Sequence, residues 1–367
     1  MRPTKIIFAG GGTGGHLFPA LAIAEEIKLL KSDAEILFVG TKNKIEARVV
    51  PERGYMFKPI WISGFRRKFT PGNLLFPVKL IVAMIQAMRI VKKFRPMVVI
   101  GTGGYVSGPV LYAATLGGVP TLIQEQNSYP GATTRFLAKR VNEVHLTFEQ
   151  SRKYFSGLGN IFVSGNPTRR SLAAVSRADA LRYFGFSEDP RNLILVFGGS
   201  LGARSINAAF IRYAGDLVGK NFQLLWQTGA EDFENVKQSL GEPLRSRIKI
   251  YPFIDRMDYA YAISDLVVCR AGATTIAELT LLGKPALLVP YPFAAADHQT
   301  ENARSMAADG AAEVIPDQEL QDGLVEKIIL MFQSDRLRRM SESSRALARP
   351  DAARDIAVRA LRLAGVS

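Results

Sequence analysis

Two glycine-rich stretches have the residue types and spacing to do chemistry. FAGGGTGGH at 8–16 follows a short apolar run and leads into a helical pattern, and VFGGSLGAR at 196–204 has the same layout. Such loops let backbone N–H groups and a helix N-terminus approach a phosphate. Gly10, Gly12 and Gly15 spell G-x-G-x-x-G, the dinucleotide pattern. That pattern also needs an Asp or Glu about 20 residues on, at the end of the second strand, for the ribose. Here that strand ends in Gly40, Thr41 and Lys42, and Glu35 stands at its opposite end. An NAD(P)-binding oxidoreductase is therefore the alternative reading and lacks its ribose ligand. Gly198, Ser200 and Gly202 match G-x-S-x-G, the nucleophile elbow, with Asp265 and His298 following in hydrolase order. In a chain with 32 glycines that short pattern arises by chance. Ser200 reads better as a hydroxyl donor to a phosphate at a helix N-terminus.

Other polar clusters fall where strands should end. They are GTGGYVSGP at 101–109, QEQNSYPG at 124–131, CRAGATTIAEL at 269–279 and DHQTENA at 297–303. The third places a helix start near Ala273 to Thr275, with Glu278 a turn inside. In the fourth, Asp297 reads as an N-cap.

The elements that must carry these loops alternate strand and helix. Strands are expected at 5–9, 35–39, 97–100, 120–123, 143–147 and 161–164. A second series is expected at 193–197, 223–226, 248–251, 265–269, 286–289 and 312–315. Short apolar runs without alternation suit strands buried on both faces of parallel sheets. Two series in 367 residues imply α/β architecture with two doubly wound domains. The break falls near Gly165, Asn166 and Pro167, giving domains 1–165 and 166–349, with a C-terminal helix at about 350–367 packing back on the first. Ligands of such sheets bind beyond the carboxyl ends of the strands, so two facing domains would enclose a cleft. The single cysteine, Cys269, excludes an internal disulfide and fits a reducing cytosol. The N-terminus shows no signal peptide, and no apolar run reaches membrane-spanning length.

Charge is divided unevenly. Residues 1–170 hold 24 basic and 9 acidic residues, a surplus of 15, while 171–367 hold 23 basic and 24 acidic. An anionic partner is expected in the first half. There WISGFRRKFTPGNLLFPVKLIVAMIQAMRIVKKFRP (61–96) mixes basic and apolar residues. Such a surface suits an anionic bilayer face. Arg66, Arg67, Lys68, Leu74, Leu75 and Phe76 are its expected exposed part, and 78–91 reads largely as a buried core helix. Nucleic acid is the weaker partner, because the apolar residues are aliphatic and no nucleic-acid motif is present. A non-enzymatic basic module would not need two phosphate loops.

GGTGGH (11–16), GTGGYVSGP (101–109), QEQN (124–127), GNPTR (165–169), GGSLGAR (198–204), CRAGATTIAE (269–278) and DHQTENA (297–303) stand in one order and spacing. In this the chain resembles the MurG family of peptidoglycan N-acetylglucosaminyltransferases over nearly its whole length. The resemblance implies a GT-B fold, two Rossmann-like doubly wound domains facing across a cleft. It implies transfer of N-acetylglucosamine from UDP-N-acetylglucosamine to the muramyl 4-hydroxyl of lipid I, with inversion, forming lipid II. Thr13, Gly14 and Gly15 match the donor-contacting loop, and Asn127 a residue near the transferred sugar. Arg169, Ser200 and Ile254 match nucleotide-binding positions, Ser200 at a phosphate and Ile254 at the uracil through its backbone. Ala273, Thr274, Thr275, Ile276, Ala277 and Glu278 match the ribose and diphosphate segment, with Glu278 on the ribose. Gln299 matches a donor-sugar contact. Leu201 stands where the family often has Gln, and Gln124 where it often has His. The chemistry needs a base for the acceptor hydroxyl and stabilisation of the leaving diphosphate. His16 at the lip of the first loop is the natural base and Glu125 its rival; His145 lies in a strand pattern and His298 on a turn. No DxD-like acidic pair sits in a loop near the glycine-rich turns, so the sequence requires neither metal nor cofactor. The resemblance further implies peripheral attachment at the cytoplasmic face of the bacterial inner membrane, and admits other cell-wall synthesis proteins as partners.

Overall fold

Apolar runs without alternation become central parallel strands. β1 (Lys5–Gly10), β2 (Glu35–Gly40), β4 (Val98–Gly103) and β5 (Thr121–Glu125) are buried almost throughout. With β3 (Met56–Pro59), β6 (Glu143–Leu146) and β7 (Ile161–Val163) they form one parallel sheet ordered β3-β2-β1-β4-β5-β6-β7. The computed structural model describes residues 3–64, 75–168, 172, 175–186, 192–294 and 297–366. It divides into two compact units, Met1–Arg169 with Arg349–Ser367, and Arg170–Ala348.

In the first unit, α1 (Gly14–Leu30), α2 (Ile45–Glu52), α3 (Phe76–Phe94), α4 (Gly104–Leu116) and α5 (Ala132–Leu137) connect the strands. One face of the sheet packs Ile6, Phe8, Phe38 and Ile100 against Leu17, Ile23 and Ile27 of α1. The C-terminal helix (Ala352–Leu363) joins that layer through Ile356, Ala357 and Ala360. The other face packs Ile7, Val39 and Val99 against α3 and α4. β3 was not expected: it is four residues long, mostly exposed and at the sheet edge, so it lacks the apolar signal of its neighbours.

The expectation of a core helix at 78–91 is corrected. α3 buries only Ala83, Ala87 and Val91, an i, i+4, i+8 stripe of small residues. Val78, Leu80, Ile81, Ile85 and Met88 are 39–62% exposed. No helix among the described residues is long and apolar enough to cross a membrane.

The second unit carries β8 (Leu193–Phe197), β9 (Gln223–Gln227), β10 (Ile248–Tyr251), β11 (Leu266–Cys269), β12 (Ala286–Leu288) and β13 (Glu313–Val314), parallel, in the order β10-β9-β8-β11-β12-β13. Helices α6 (Arg177–Phe184), α7 (Arg204–Gly219), α8 (Phe233–Ser239), α9 (Glu242–Arg245) and α10 (Met257–Ile263) lead to α11 (Ala273–Leu282). They are followed by α12 (His298–Ala308), α13 (Leu320–Met331) and α14 (Arg336–Ala346). Winding reverses between β1 and β4 in one sheet and between β8 and β11 in the other. Beyond the carboxyl ends at such a switch point the flanking loops part and leave a crevice for a ligand.

Candidate active site

The first switch point is built from the loops after β1 and β4, both rich in glycine. Gly103 and Gly104 have φ of +96° and +76°. A Cβ on Gly104 would stand 2.6 Å from Gly11 O, so only glycine lets the two loops approach. His16 lies in the first turn of α1 and is half-buried. Its Nδ1 is 2.9 Å from Gln126 Oε1, and its carbonyl accepts from Thr102 Oγ1 at 2.8 Å. Thr13 and Gly15 are exposed beside it, and Thr13 is the N-cap without a side-chain cap bond. The start of the loop is held from α2. Glu46, 1% exposed, accepts from Gly12 N at 3.0 Å and from Thr41 N and Oγ1 at 2.9 and 2.8 Å. A carboxylate thus takes the Gly12 N–H and sets a negative charge where a dinucleotide phosphate would need donors. Tyr105 lies near this carboxylate; burial and Glu46 both push its phenol above the ordinary value, so it stays protonated.

Glu125 ends β5 and is 4% exposed. Its Oε1 accepts from Asn127 N and Nδ2 at 3.2 and 3.4 Å, and its Oε2 from Gly131 N and Thr134 Oγ1 at 3.0 and 2.6 Å. It organises the 126–131 loop and holds Asn127 within it. Gln124 donates to Thr147 Oγ1 and Asn166 Oδ1, both at 3.3 Å. His145 is fully buried elsewhere in the sheet, between Glu143 and Ser164.

In the second unit the loop after β8 makes a turn in which Gly202 N donates to Gly199 O at 3.1 Å. Ser200 is exposed in that turn, next to Leu201 at 84% exposure. The expectation that Ser200 starts a helix is corrected: α7 begins at Arg204. Gly202 has φ +78°, and a Cβ there would overlap Thr228 O at 2.0 Å. Glycine there lets the turn's backbone run close against the residue that follows β9.

The loop after β11 leads into α11, whose N-cap is Gly272 and whose first residue is Ala273. Thr274 Oγ1 is buried and has no hydrogen-bond partner among the described residues. Thr275, Ile276 and Ala277 continue the first turns to Glu278, whose Oε2 accepts from Tyr261 Oη at 3.0 Å. Burial and the Glu278 charge hold the Tyr261 phenol well above its usual range, so it remains a donor. Arg270 ties the loop down through Val289 O and Pro290 O at 3.3 and 3.1 Å and Ser205 Oγ at 2.8 Å. Ile254 N donates to Gln227 Oε1 at 2.8 Å, so its N–H is committed within the unit. Gln299 Oε1 accepts from Tyr291 N at 2.9 Å, which directs its amide nitrogen away from that backbone. Asp297 adopts a left-handed conformation (φ +54°) and accepts from Thr300 Oγ1 at 2.6 Å.

Arg169, Arg66, Arg67, Lys68 and Leu74 lie outside the described residues. Leu75 is 50% exposed and Phe76 half-buried. Among the described residues no group of three His, Cys, Asp or Glu could hold a metal ion. Glu46, Gln126 and Tyr261 were missed by sequence reasoning. Each acts on an element other than its own, and only Gln126, inside QEQN, lay in a stretch already singled out.

Residues 6–146 match the glycosyltransferase family 28 N-terminal domain, and 193–356 its C-terminal domain. Fold and loops together define a glycosyltransferase of the two-domain GT-B class. The chain belongs to glycosyltransferase family 28. It is 47% identical over 365 residues to the UDP-N-acetylglucosamine--N-acetylmuramyl-(pentapeptide) pyrophosphoryl-undecaprenol N-acetylglucosamine transferase of Chlorobaculum parvum, covering 98% of this chain and 99% of that one. The protein of the same name from Salinibacter ruber is 44% identical, covering 99% and 98%. The crystal structure of Acinetobacter baumannii MurG superposes with a TM-score of 0.78 at 28% identity, covering 98% and 100%. The oxidoreductase alternative finds no support: the ribose acid is absent and Glu46 occupies the loop.

Proposed function

We infer that this enzyme transfers N-acetylglucosamine from UDP-N-acetylglucosamine to the muramyl 4-hydroxyl of lipid I, inverting the anomeric centre and releasing UDP. The observation that carries this is the end-to-end match to enzymes named for that transfer. The switch-point loops supply groups suited to each part of it.

The second unit takes the donor. The N-terminus of α11 and the Thr274 hydroxyl, buried without a partner among the described residues, suit the diphosphate as its charge grows on departure. Ser200, exposed in its turn, serves a phosphate, and Arg169, from the first unit's segment, serves the nucleotide. Glu278, braced by Tyr261, takes the ribose hydroxyls, the carbonyl of Ile254 the uracil, and the Gln299 amide the sugar.

The first unit handles the acceptor. His16 Nε2 has no hydrogen bond to a described residue and removes the proton from the attacking hydroxyl. Glu125, enclosed by donors, shapes the loop that presents Asn127. No step here requires a metal: the N-terminus of α11 and the Thr274 and Ser200 hydroxyls offset the charge on UDP.

The first unit also meets the membrane. Val78, Ile81, Ile85 and Met88 on α3 and Trp61 beside it are 43–62% exposed, and Lys79 lies 5.8 Å from the Trp61 ring centre. Arg89, Lys92 and Lys93 are exposed on the same helix. An apolar face with basic flanks binds an anionic bilayer surface peripherally. Lipid I is anchored in the cytoplasmic leaflet, so this is the face on which the enzyme would work, within reach of other cell-wall synthesis proteins.

The test is transfer of labelled sugar from UDP-N-acetylglucosamine to a short-chain lipid I analogue, with calorimetry of UDP, UDP-N-acetylglucosamine and NAD. Transfer with β-1,4 linkage and binding of the uridine ligands alone is the expected result. Binding of NAD, or labelled sugar released to water instead of the acceptor, would overturn the reading.

A further inference from the structure

We propose that Gln126 fixes His16 as its Nδ1–H tautomer and thereby leaves Nε2 as the proton-accepting atom. The consequence for catalysis rests on His16 being the base; the tautomer itself does not.

Gln126 is 2% exposed. Its Nε2 donates to Thr102 O at 2.8 Å and Gln124 O at 3.1 Å, and also meets Gln124 Oε1. Main-chain oxygens only accept. Turning the amide over would press Oε1 against them and leave three oxygens without a hydrogen among them. The amide therefore has one orientation, with Oε1 toward His16 Nδ1 at 2.9 Å. That oxygen brings no hydrogen, so Nδ1 must carry it. A neutral imidazole has a single N–H, and its other nitrogen keeps a lone pair.

The surroundings are built to hold this pair. A Cβ on Gly103 would stand 2.7 Å from His16 Nδ1 and 3.3 Å from Gln126 Oε1. Thr102 grips both partners, its hydroxyl on His16 O and its carbonyl on the Gln126 amide. This is the arrangement in which a base is oriented by a third group, with a neutral amide as the orienter. A neutral amide supports the imidazolium less than a carboxylate would, so the accepted proton is readily passed on. Gln126 is a positioning residue: it acts through His16.

The test is the tautomer itself, read from two-bond 1H–15N correlations of 15N-histidine-labelled protein at about pH 8.5, where an imidazole is ordinarily neutral. Signals of His16 are assigned by their loss in His16→Ala. His145 supplies an internal reference of the opposite tautomer, because its Nε2 lies 2.9 Å from the Glu143 carboxylate and its Nδ1 2.7 Å from the Ser164 hydroxyl. His16 should show Nδ1 protonated. In Gln126→Met it should become a mixture with the Nε2–H form. Turnover of the lipid I analogue should then fall at least about tenfold, with donor affinity unchanged. Finding Nε2 protonated in the unaltered protein overturns the proposal and needs no variant to fold. An unchanged tautomer in Gln126→Met overturns it as well. A shifted tautomer with full turnover upholds the role of Gln126 and overturns the reading of His16 as base, so the two failures are distinct.

Discussion

The His16 imidazole keeps one nitrogen clear of hydrogen bonds to the described residues, whereas the Glu125 carboxylate accepts four. A base must present a lone pair to substrate, and Glu125 has committed its own. His16→Ala should fold, bind UDP-N-acetylglucosamine normally and lose turnover by a factor on the order of 100–10,000. Glu125→Gln should instead lower stability by about 1–3 kcal/mol, because an amide nitrogen would face donors. Turnover against pH together with urea melts separates the two; a stable, inactive Glu125→Gln beside an active His16→Ala would move the base to Glu125. In the second unit, Glu278→Ala should weaken donor binding by about 1.5–3 kcal/mol, the loss of charged hydrogen bonds. Tyr261→Phe should weaken it less, since it removes only the brace on Oε2. Equal donor affinity across all three proteins in calorimetry would remove Glu278 from the ribose.

At the scale of elements, α3 shows how a helix can be apolar without being core. Its stripe of Ala83, Ala87 and Val91, flanked by Met84, Ile90 and Phe94, meets the rest of the unit, whereas Val78, Ile81, Ile85 and Met88 face away. Exposed apolar surface of this kind marks an interaction site. Replacing Ile81, Ile85 and Met88 by Ser should leave the melting temperature nearly unchanged. It should also sharply reduce co-sedimentation with vesicles containing anionic lipid. Binding that survives the substitutions, or is indifferent to salt when the lysines are intact, would rule this face out as the contact. The element-level error in sequence reading has the same source: hydropathy reports that residues are apolar, and only packing reports which side meets the protein.

At the scale of the whole molecule, the chain leaves the first unit near residue 169 and returns to it at 349. The return is secured by Arg359 of the C-terminal helix, which donates to both oxygens of Glu143 at 2.7 and 2.8 Å and lies 3.7 Å from the Phe162 ring centre. Burial alone would raise the Glu143 carboxyl, but the hydrogen bonds from His145 and Arg359 outweigh it and hold it down to about 2. Burial also lowers His145 from 6.5 and keeps it neutral. Both folded values lie below the unfolded ones. The stabilisation from His145 is therefore complete above about pH 6.5 and lost below it. That from Glu143 is complete above about pH 4.5 and lost as pH falls through 2. Arg359→Ala should cost about 1–3 kcal/mol at neutral pH and flatten the acid limb of the urea midpoint below about pH 4.5. An acid limb identical to that of the unaltered protein would remove this cluster from the account.

The strand series, the glycine loops and the order of the motifs were legible in the sequence. They depend on local periodicity and on backbone conformations that only glycine adopts, as at Gly104 and Gly202. The edge strand β3 was not, because a short exposed strand carries no apolar pattern. Nor were the contacts that give the site its chemistry: Glu46 on Gly12, Gln126 on His16 and Tyr261 on Glu278 join residues 34, 110 and 17 positions apart. Residue types and spacing name the groups available for catalysis. Which nitrogen carries the proton, which carboxylate is already saturated and which face of a helix meets solvent are decided by distances that exist only once the chain has folded.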